Sequence, residues 1–168
     1  MASLPVQALA NLPDGLRDEL LHEFRKITRN YREEKWEAQE LDGGRLCEVV
    51  YTILHGYLSG GAYSAKATKP DKFKFSCEQL AQVGDKNTYP KSARVTLPLV
   101  LVPLYDLRNN RGVGHVGGDV NANEMDATYV LHASQWIMAE LVRLFRSLSV
   151  DEATKVVHGL VDRTMPIL

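Results

Sequence analysis

The stretch from Asp106 to Asp119, DLRNNRGVGHVGGD, collects residue types that can do chemistry. It places two arginines, two asparagines and one histidine among four glycines, and it lies between two long apolar segments. Histidine, with an unperturbed pKa of about 6.5, can take or give a proton at neutral pH. Arginine can hold two oxygens of one anion at once. The stretch therefore suits proton transfer next to a bound anion.

The spacing within this stretch relates Arg108 to His115. The two residues are seven positions apart, and seven steps of about 100° return an ideal helix to the same face about two turns further on. Arg111 falls near that face as well. The glycines disfavour a regular helix, because each costs roughly 1 kcal/mol relative to alanine. We therefore predict a helix that ends near Asn110 and a tight turn that presents His115.

Apolar residues that recur at steps of three and four, such as Leu16, Leu20 and Phe24, predict helices along most of the chain. The predicted helices span 13–36, 41–58, 76–83, 92–110, 123–148 and 149–163. Together they predict an all-α, up-and-down bundle of five or six helices. The chain reads as one domain over residues 1–168, with a core of about 13–163.

Capping residues define several of the predicted helix ends, because their side chains can bond to unpaired backbone amides. The expected N-caps are Asn11 or Asp14, Ser76, Asn123 and Ser149. Gly60 and Gly61 are expected to end the second helix.

The segment RVTLPLVLVPLYDLRNN admits two interpretations. Taken alone, VTLPLVLV is typical of a buried strand. Proline is a poor residue for a central strand, and no partner strand is predicted elsewhere. We favour a buried helix that breaks or restarts near Pro103.

Composition and charge exclude several function classes. The net charge is −1 over 168 residues, so any contact with nucleic acid must come from a local patch. No apolar run approaches the roughly 18 residues that span a bilayer. The N-terminal sequence MASLPVQALANLPDG has no basic region typical of a signal peptide. We expect a soluble cytoplasmic protein without membrane contact.

Metal and redox chemistry find no support in the sequence. Cys47 and Cys77 are isolated, so we expect them to pack as small apolar residues in a reducing compartment. The histidines outside the stretch above share no metal-ligand spacing with one another or with the cysteines; they are His22, His55, His132 and His158. No metal or other cofactor is expected.

The arginine-to-histidine pattern resembles the HEPN superfamily (higher eukaryotes and prokaryotes nucleotide-binding domains). Its members carry an arginine, usually a polar residue next, and a histidine after four to six residues. The sequence RNNRGVGH fits with Arg108, Asn109 and His115. The version with glycines before the histidine is similar to the C-terminal domains of bacterial abortive-infection proteins. The resemblance covers about residues 41–148, and Glu48 in GGRLCEVVYTIL matches a frequent acidic position.

This resemblance implies metal-independent cleavage of single-stranded RNA, in which the ribose 2′-hydroxyl attacks the adjacent phosphorus and leaves a cyclic phosphate. Arg108 and His115 would be catalytic and Asn109 would orient them. Arg111 and Asn110 would contact RNA, with Glu48 and Arg45 in support. Family members are typically homodimers whose two motifs face one cleft, which would supply a second histidine. The resemblance also implies a role in phage defence or in a toxin–antitoxin pair, with an antitoxin or another protein as partner.

Simpler interpretations stay open beside this one. The motif would then be a solvated connection between helices, or the fold would serve as a non-catalytic dimerisation, partner-binding or nucleotide-binding module. Arg45 and Glu48 would form an ordinary surface pair. Trp36 and Trp136 are expected to be core or interface anchors.

Two further segments carry alternatives of their own. The lysines of residues 66–74, interleaved with Phe73 and Phe75, either contact RNA or belong to a solvated loop. The ending TMPIL either docks on the core or marks a cut within a longer protein.

Overall fold

The computed structural model describes residues 4–37, 43–110 and 120–162 of the chain. Within these ranges the fold is all-helical, as predicted, with seven α-helices and no strand. The helices are α1 (Leu4–Ala8), α2 (Asp14–Arg32), α3 (Gly44–Leu58), α4 (Phe73–Gln79), α5 (Leu97–Asn110), α6 (Glu124–Arg146) and α7 (Val150–Asp162). A 3₁₀ turn at Leu80–Gln82 follows α4, and a π-helical turn at Ser92–Thr96 precedes α5. The short α1 was not among the five or six helices predicted.

The apolar stripes of the long helices meet in one hydrophobic core. Phe24 of α2, Ile53 of α3, Leu101 of α5 and Ile137 of α6 have no exposed surface. Burying an apolar side chain of this size contributes about 1.5–3 kcal/mol. The predicted periodicity was therefore a correct guide to the core.

Helix α5 packs between α3, α4 and α6. It is antiparallel to α3, because the Cys47 thiol donates to the Leu101 carbonyl (3.6 Å) while Gly43, just before α3, lies against Leu104. It is antiparallel to α6 as well, because Ser92 bonds to Glu140 at one end and Leu104 lies near Val130 at the other. The carboxyl end of α5 therefore meets the amino ends of α3 and α6.

The expected break of this helix near Pro103 is wrong, although its helical state is confirmed. Pro103 lies inside α5, which continues to Asn110. A proline removes one backbone donor and clashes with the carbonyl four residues earlier. The irregularity lies instead at the π-helical turn before Pro98, where Ser92 and Arg94 bond to other parts of the fold.

Two predicted boundaries are also wrong. The first long helix ends at Arg32 rather than near Trp36, because Glu34 adopts a left-handed conformation (φ 57°) and the Lys35 amide bonds back to the Asn30 carbonyl (2.9 Å). Helix α4 begins at Phe73 rather than at Ser76, so Ser76 lies inside it and does not cap it.

The caps of α6 and α7 are confirmed, whereas that of α2 is not. The Asn123 side chain accepts the Asp126 amide (3.2 Å), and Ser149 Oγ accepts the Glu152 amide (3.2 Å). Pro13 occupies the N-cap position of α2 without a side-chain bond. Gly60 and Gly61 follow α3 with φ of 76° and 89°, the left-handed conformation that glycine adopts without strain.

Candidate functional site

The carboxyl end of α5 carries the first part of the predicted motif. Arg108, Asn109 and Asn110 are the last residues of α5 that the structure describes, and the predicted helix end near Asn110 stays a prediction. Gly43 is packed tightly here: a Cβ on it would lie 3.1 Å from Leu104 Cδ1 and 3.7 Å from Val130 Cγ1. We call this end of the bundle, where α5 finishes and α3 and α6 begin, the motif end.

The helical register of α5 fixes the face on which position 108 lies. Leu97, Leu101 and Leu104 form the buried stripe of α5. Position 108 continues that stripe, four residues or about 6 Å beyond Leu104. The α5 backbone therefore delivers position 108 to the rim of the core, above the first residues of α3 and α6.

The rest of the predicted motif lies in residues 111–119, which are outside the described residues. This applies to Arg111 and His115, and the side chains of Arg108, Asn109 and Asn110 also lie outside the described part. The described chain resumes at Val120, and α6 begins at Glu124. The motif therefore joins the end of α5 to the start of α6, as the sequence predicted.

Arg45 and Glu48 form the surface pair that the simpler interpretation expected. Arg45 Nη1 lies 3.4 Å from Glu48 Oε2. Its closer partner is Glu19 of α2, whose hydrogen bond is the main reason that the pKa of Arg45 is raised. The group therefore ties the start of α3 to α2 near the motif end. Glu23 of α2 lies close by and is 7% exposed, with one carboxylate oxygen unpaired among the described residues.

An aromatic cluster supports the last turns of α5. The Phe73 ring of α4 stacks on Tyr105 with centroids 4.0 Å apart, and Tyr51 of α3 packs on the same phenylalanine at 6.1 Å. Tyr105 precedes position 108 by three residues, so it lies about 60° around the helix from it. Helix α4 therefore flanks the side of α5 that leads to Arg108. No local pattern in the sequence predicts this contact.

A second surface feature is an apolar groove of about 630 Å³ between α5 and α6. Its walls include Leu99, Tyr129 and Trp136, which are 47%, 40% and 43% exposed. At 100° per residue, position 108 lies about 180° around α5 from Leu99 and about 140° from Pro103, another wall residue. The groove and the motif therefore occupy different sides of α5. Trp136 is too exposed to be the core anchor that was one of its two predicted roles, and its role as an interface anchor stays a prediction.

The described cysteines and histidines are structural or exposed, as predicted. Both cysteines are buried, and burial raises the pKa of Cys77 to about 12, which leaves the thiol protonated and unreactive at neutral pH. The four predicted histidines are exposed on four different helices: His22, His55, His132 and His158. No group of potential metal ligands occurs in the described part of the chain. None of the described helices has the length and apolar character needed to cross a bilayer.

Comparison with known proteins adds no assignment to this geometry. Neither the family models, nor the curated proteins, nor the solved structures include a match to this chain. What the fold defines is an all-α helical bundle with a polar, glycine-rich connection at one end. The resemblance to HEPN domains stays a prediction.

Proposed function

We propose that this protein is a metal-independent endoribonuclease that cleaves single-stranded RNA at the motif end, as a homodimer. The observation that carries the proposal is the place of the motif. Helix α5 carries position 108 to the rim of the core, and Asn109 and the glycine-rich residues with His115 follow it in the sequence. A rigid helix packed on three others is a suitable support for a side chain that must be held in position.

The proposed reaction is an intramolecular transphosphorylation, in which the phosphoryl group moves from the 5′-oxygen to the 2′-oxygen of the RNA. The 2′-oxygen bonds to the adjacent phosphorus, the bond to the 5′-oxygen breaks, and a 2′,3′-cyclic phosphate and a free 5′-hydroxyl result. Arg108 binds the non-bridging oxygens and offsets their growing charge. His115 moves the proton, Asn109 orients both groups, and Arg111 and Asn110 contact neighbouring phosphates.

The proposed dimer follows from the proton transfers. One proton leaves the 2′-hydroxyl, and another reaches the 5′-oxygen on the opposite side of the phosphorus. A single histidine does not readily act as base on one side and as acid on the other. A two-fold axis at the motif end brings a second His115 to the same cleft. The proposed biological setting is phage defence or a toxin–antitoxin pair in the cytoplasm.

The test is cleavage of a labelled single-stranded RNA in the presence of EDTA, with mass spectrometry of the ends. The wild-type protein should leave cyclic phosphates, and His115→Ala or Arg108→Ala should abolish cleavage without a change in helicity. His132→Ala is the matched control, because His132 is exposed on α6 outside the motif. Equal cleavage by all four proteins would exclude the assignment.

The apolar groove favours a second candidate function, that of a non-catalytic partner-binding module. Tyrosine and tryptophan are enriched at interfaces, and Tyr129 and Trp136 are exposed on one wall of the groove. Because the groove lies away from position 108, binding there needs no chemistry from the motif. Co-purification of a partner that is lost in Trp136→Ala, together with normal growth at high expression, would support this function over the nuclease.

A further inference from the structure

The segment of residues 60–76, between α3 and the middle of α4, carries a local excess of positive charge. Its four lysines and single aspartate give it a net charge of +3, whereas the whole chain has −1. We call its exposed lysines and exposed phenylalanine the basic edge: Lys66, Lys69, Lys72, Lys74 and Phe75. No ion pair of the described residues involves these lysines. Their charges are therefore free to meet an external anion.

The segment is attached to the helical core at three points. Tyr63 lies so close to Gly56 that a Cβ there would be 2.4 Å from its ring. The Thr68 amide donates to Thr52 Oγ1 (3.0 Å), and Phe73 is buried. Each lysine lies within three residues of one of these anchors, so the backbone of the lysines is already held. Less conformational freedom is then lost when they bind a ligand.

The third anchor places the last part of the basic edge, which contains Lys72 and Lys74, on the motif side of α5. Phe73 stacks on Tyr105, one helical turn before position 108. Lys72 and Lys74 flank Phe73 in the sequence. The apolar groove, by contrast, lies on the other side of α5.

We propose that the basic edge binds the single-stranded RNA that is cleaved beside Arg108, an inference that rests on the proposed function. Lysines bind phosphates without regard to sequence, and an exposed aromatic ring stacks on an unpaired base. Phe75 is 57% exposed and is the one large hydrophobic side chain so exposed on this segment. A single ring among spaced lysines suits an unpaired strand better than a lipid surface, which favours several apolar side chains together.

The experiment measures binding of a fluorescein-labelled 20-nucleotide oligouridine to the full chain with His115→Ala, which prevents turnover. Each lost phosphate contact lowers the slope of log K against log salt by about 0.7 for a single strand. Lys72→Gln with Lys74→Gln should therefore lower the slope by about 1.4 and weaken binding about 25-fold at 0.1 M salt. Phe75→Ala should weaken binding about tenfold.

The matched control is Lys86→Gln with Lys155→Gln, which removes the same charge from two other exposed lysines. Lys86 follows Gly84, which packs against Leu58 at the opposite end of the bundle. If the control pair binds RNA within twofold of the parent, the result supports the basic edge. An equal loss of affinity in the control pair and in the basic-edge pair would show bulk electrostatics and overturn the proposal. Binding to phosphatidylserine vesicles but not to RNA would also overturn it.

Failure of the proposed nuclease function and failure of this RNA-binding inference give different experimental results. A protein that binds RNA through the basic edge but does not cleave it would retain this inference and lose the nuclease. A protein that cleaves dilute RNA equally well with Lys72 and Lys74 both replaced by glutamine would retain the nuclease and lose this inference.

Discussion

The contact between Phe73 and Tyr105 can be tested by a series of substitutions at Phe73. This ring is 6% exposed and packs on two tyrosine rings. Truncating a buried phenylalanine to alanine costs about 3–5 kcal/mol, of which aromatic pairing supplies about 0.5–1.5 kcal/mol. We expect Phe73→Ala to lower the free energy of unfolding by about 3 kcal/mol, and Phe73→Leu by about 1 kcal/mol because it keeps most of the apolar volume.

Urea unfolding and calorimetry would measure these losses. For a chain of this size about 1 kcal/mol shifts Tm by about 2–4 °C, so Phe73→Ala should lower Tm by about 6–12 °C. Phe75→Ala is the control, because that ring is 57% exposed and its loss should change stability by less than about 0.5 kcal/mol. Hydrogen exchange should show α4 opening first in Phe73→Ala. Equal stability of the two alanine variants would refute the buried stack.

Three other predictions concern stability and reactivity. Gly56→Ala should destabilise the fold by about 2 kcal/mol in urea unfolding, because its Cβ would lie 2.4 Å from the Tyr63 ring. Gly159→Ala should instead stabilise it by about 0.5–1 kcal/mol, because nothing lies within 4 Å of that Cβ inside α7, and the reverse order would contradict the packing. The hydrogen bond from Arg143 lowers the pKa of Glu140 below its ordinary value of 4.5. The stabilising effect of the ionised Glu140 is therefore present above that pH and is lost as the pH falls through the lowered pKa. Acid titrations should show this loss in the wild type and not in Glu140→Gln. Cys77, with its pKa raised to about 12 by burial, should resist iodoacetamide at pH 8 until urea unfolds the chain, and labelling of the native protein would disprove that burial.

Local sequence patterns were sufficient to predict features that depend only on the residues of one helix. The stripe through Leu16, Leu20 and Phe24 is buried as expected, and Asn123 caps α6. The patterns failed for features that depend on packing between helices. Pro103 is tolerated inside α5 because that helix is packed against three others. Scales of helix propensity do not include such tertiary packing.

The same distinction applies to the candidate site. The types and spacing of Arg108 and His115 can be read from the sequence, and so can their place after a long apolar segment. The side of α5 on which the basic edge and the apolar groove lie could not be predicted, because it depends on contacts between segments far apart in the chain, such as that of Phe73 with Tyr105. Trp136 carried only a weak signal, since a tryptophan on a helix is as suitable for a core as for a groove.

By itself, the sequence determined that the chain is helical, where most helices begin and end, and which residues are suited to bind an anion and move a proton. These properties depend on a period of 3.6 residues, on caps and on side-chain chemistry, all of which act over a few positions. Only the tertiary structure decided that Phe73 supports Tyr105, so that the lysines beside it share the side of α5 that leads to Arg108. The apolar groove was assigned to the other side in the same way. Such choices depend on how buried surfaces from distant segments fit together, and no local pattern encodes that fit.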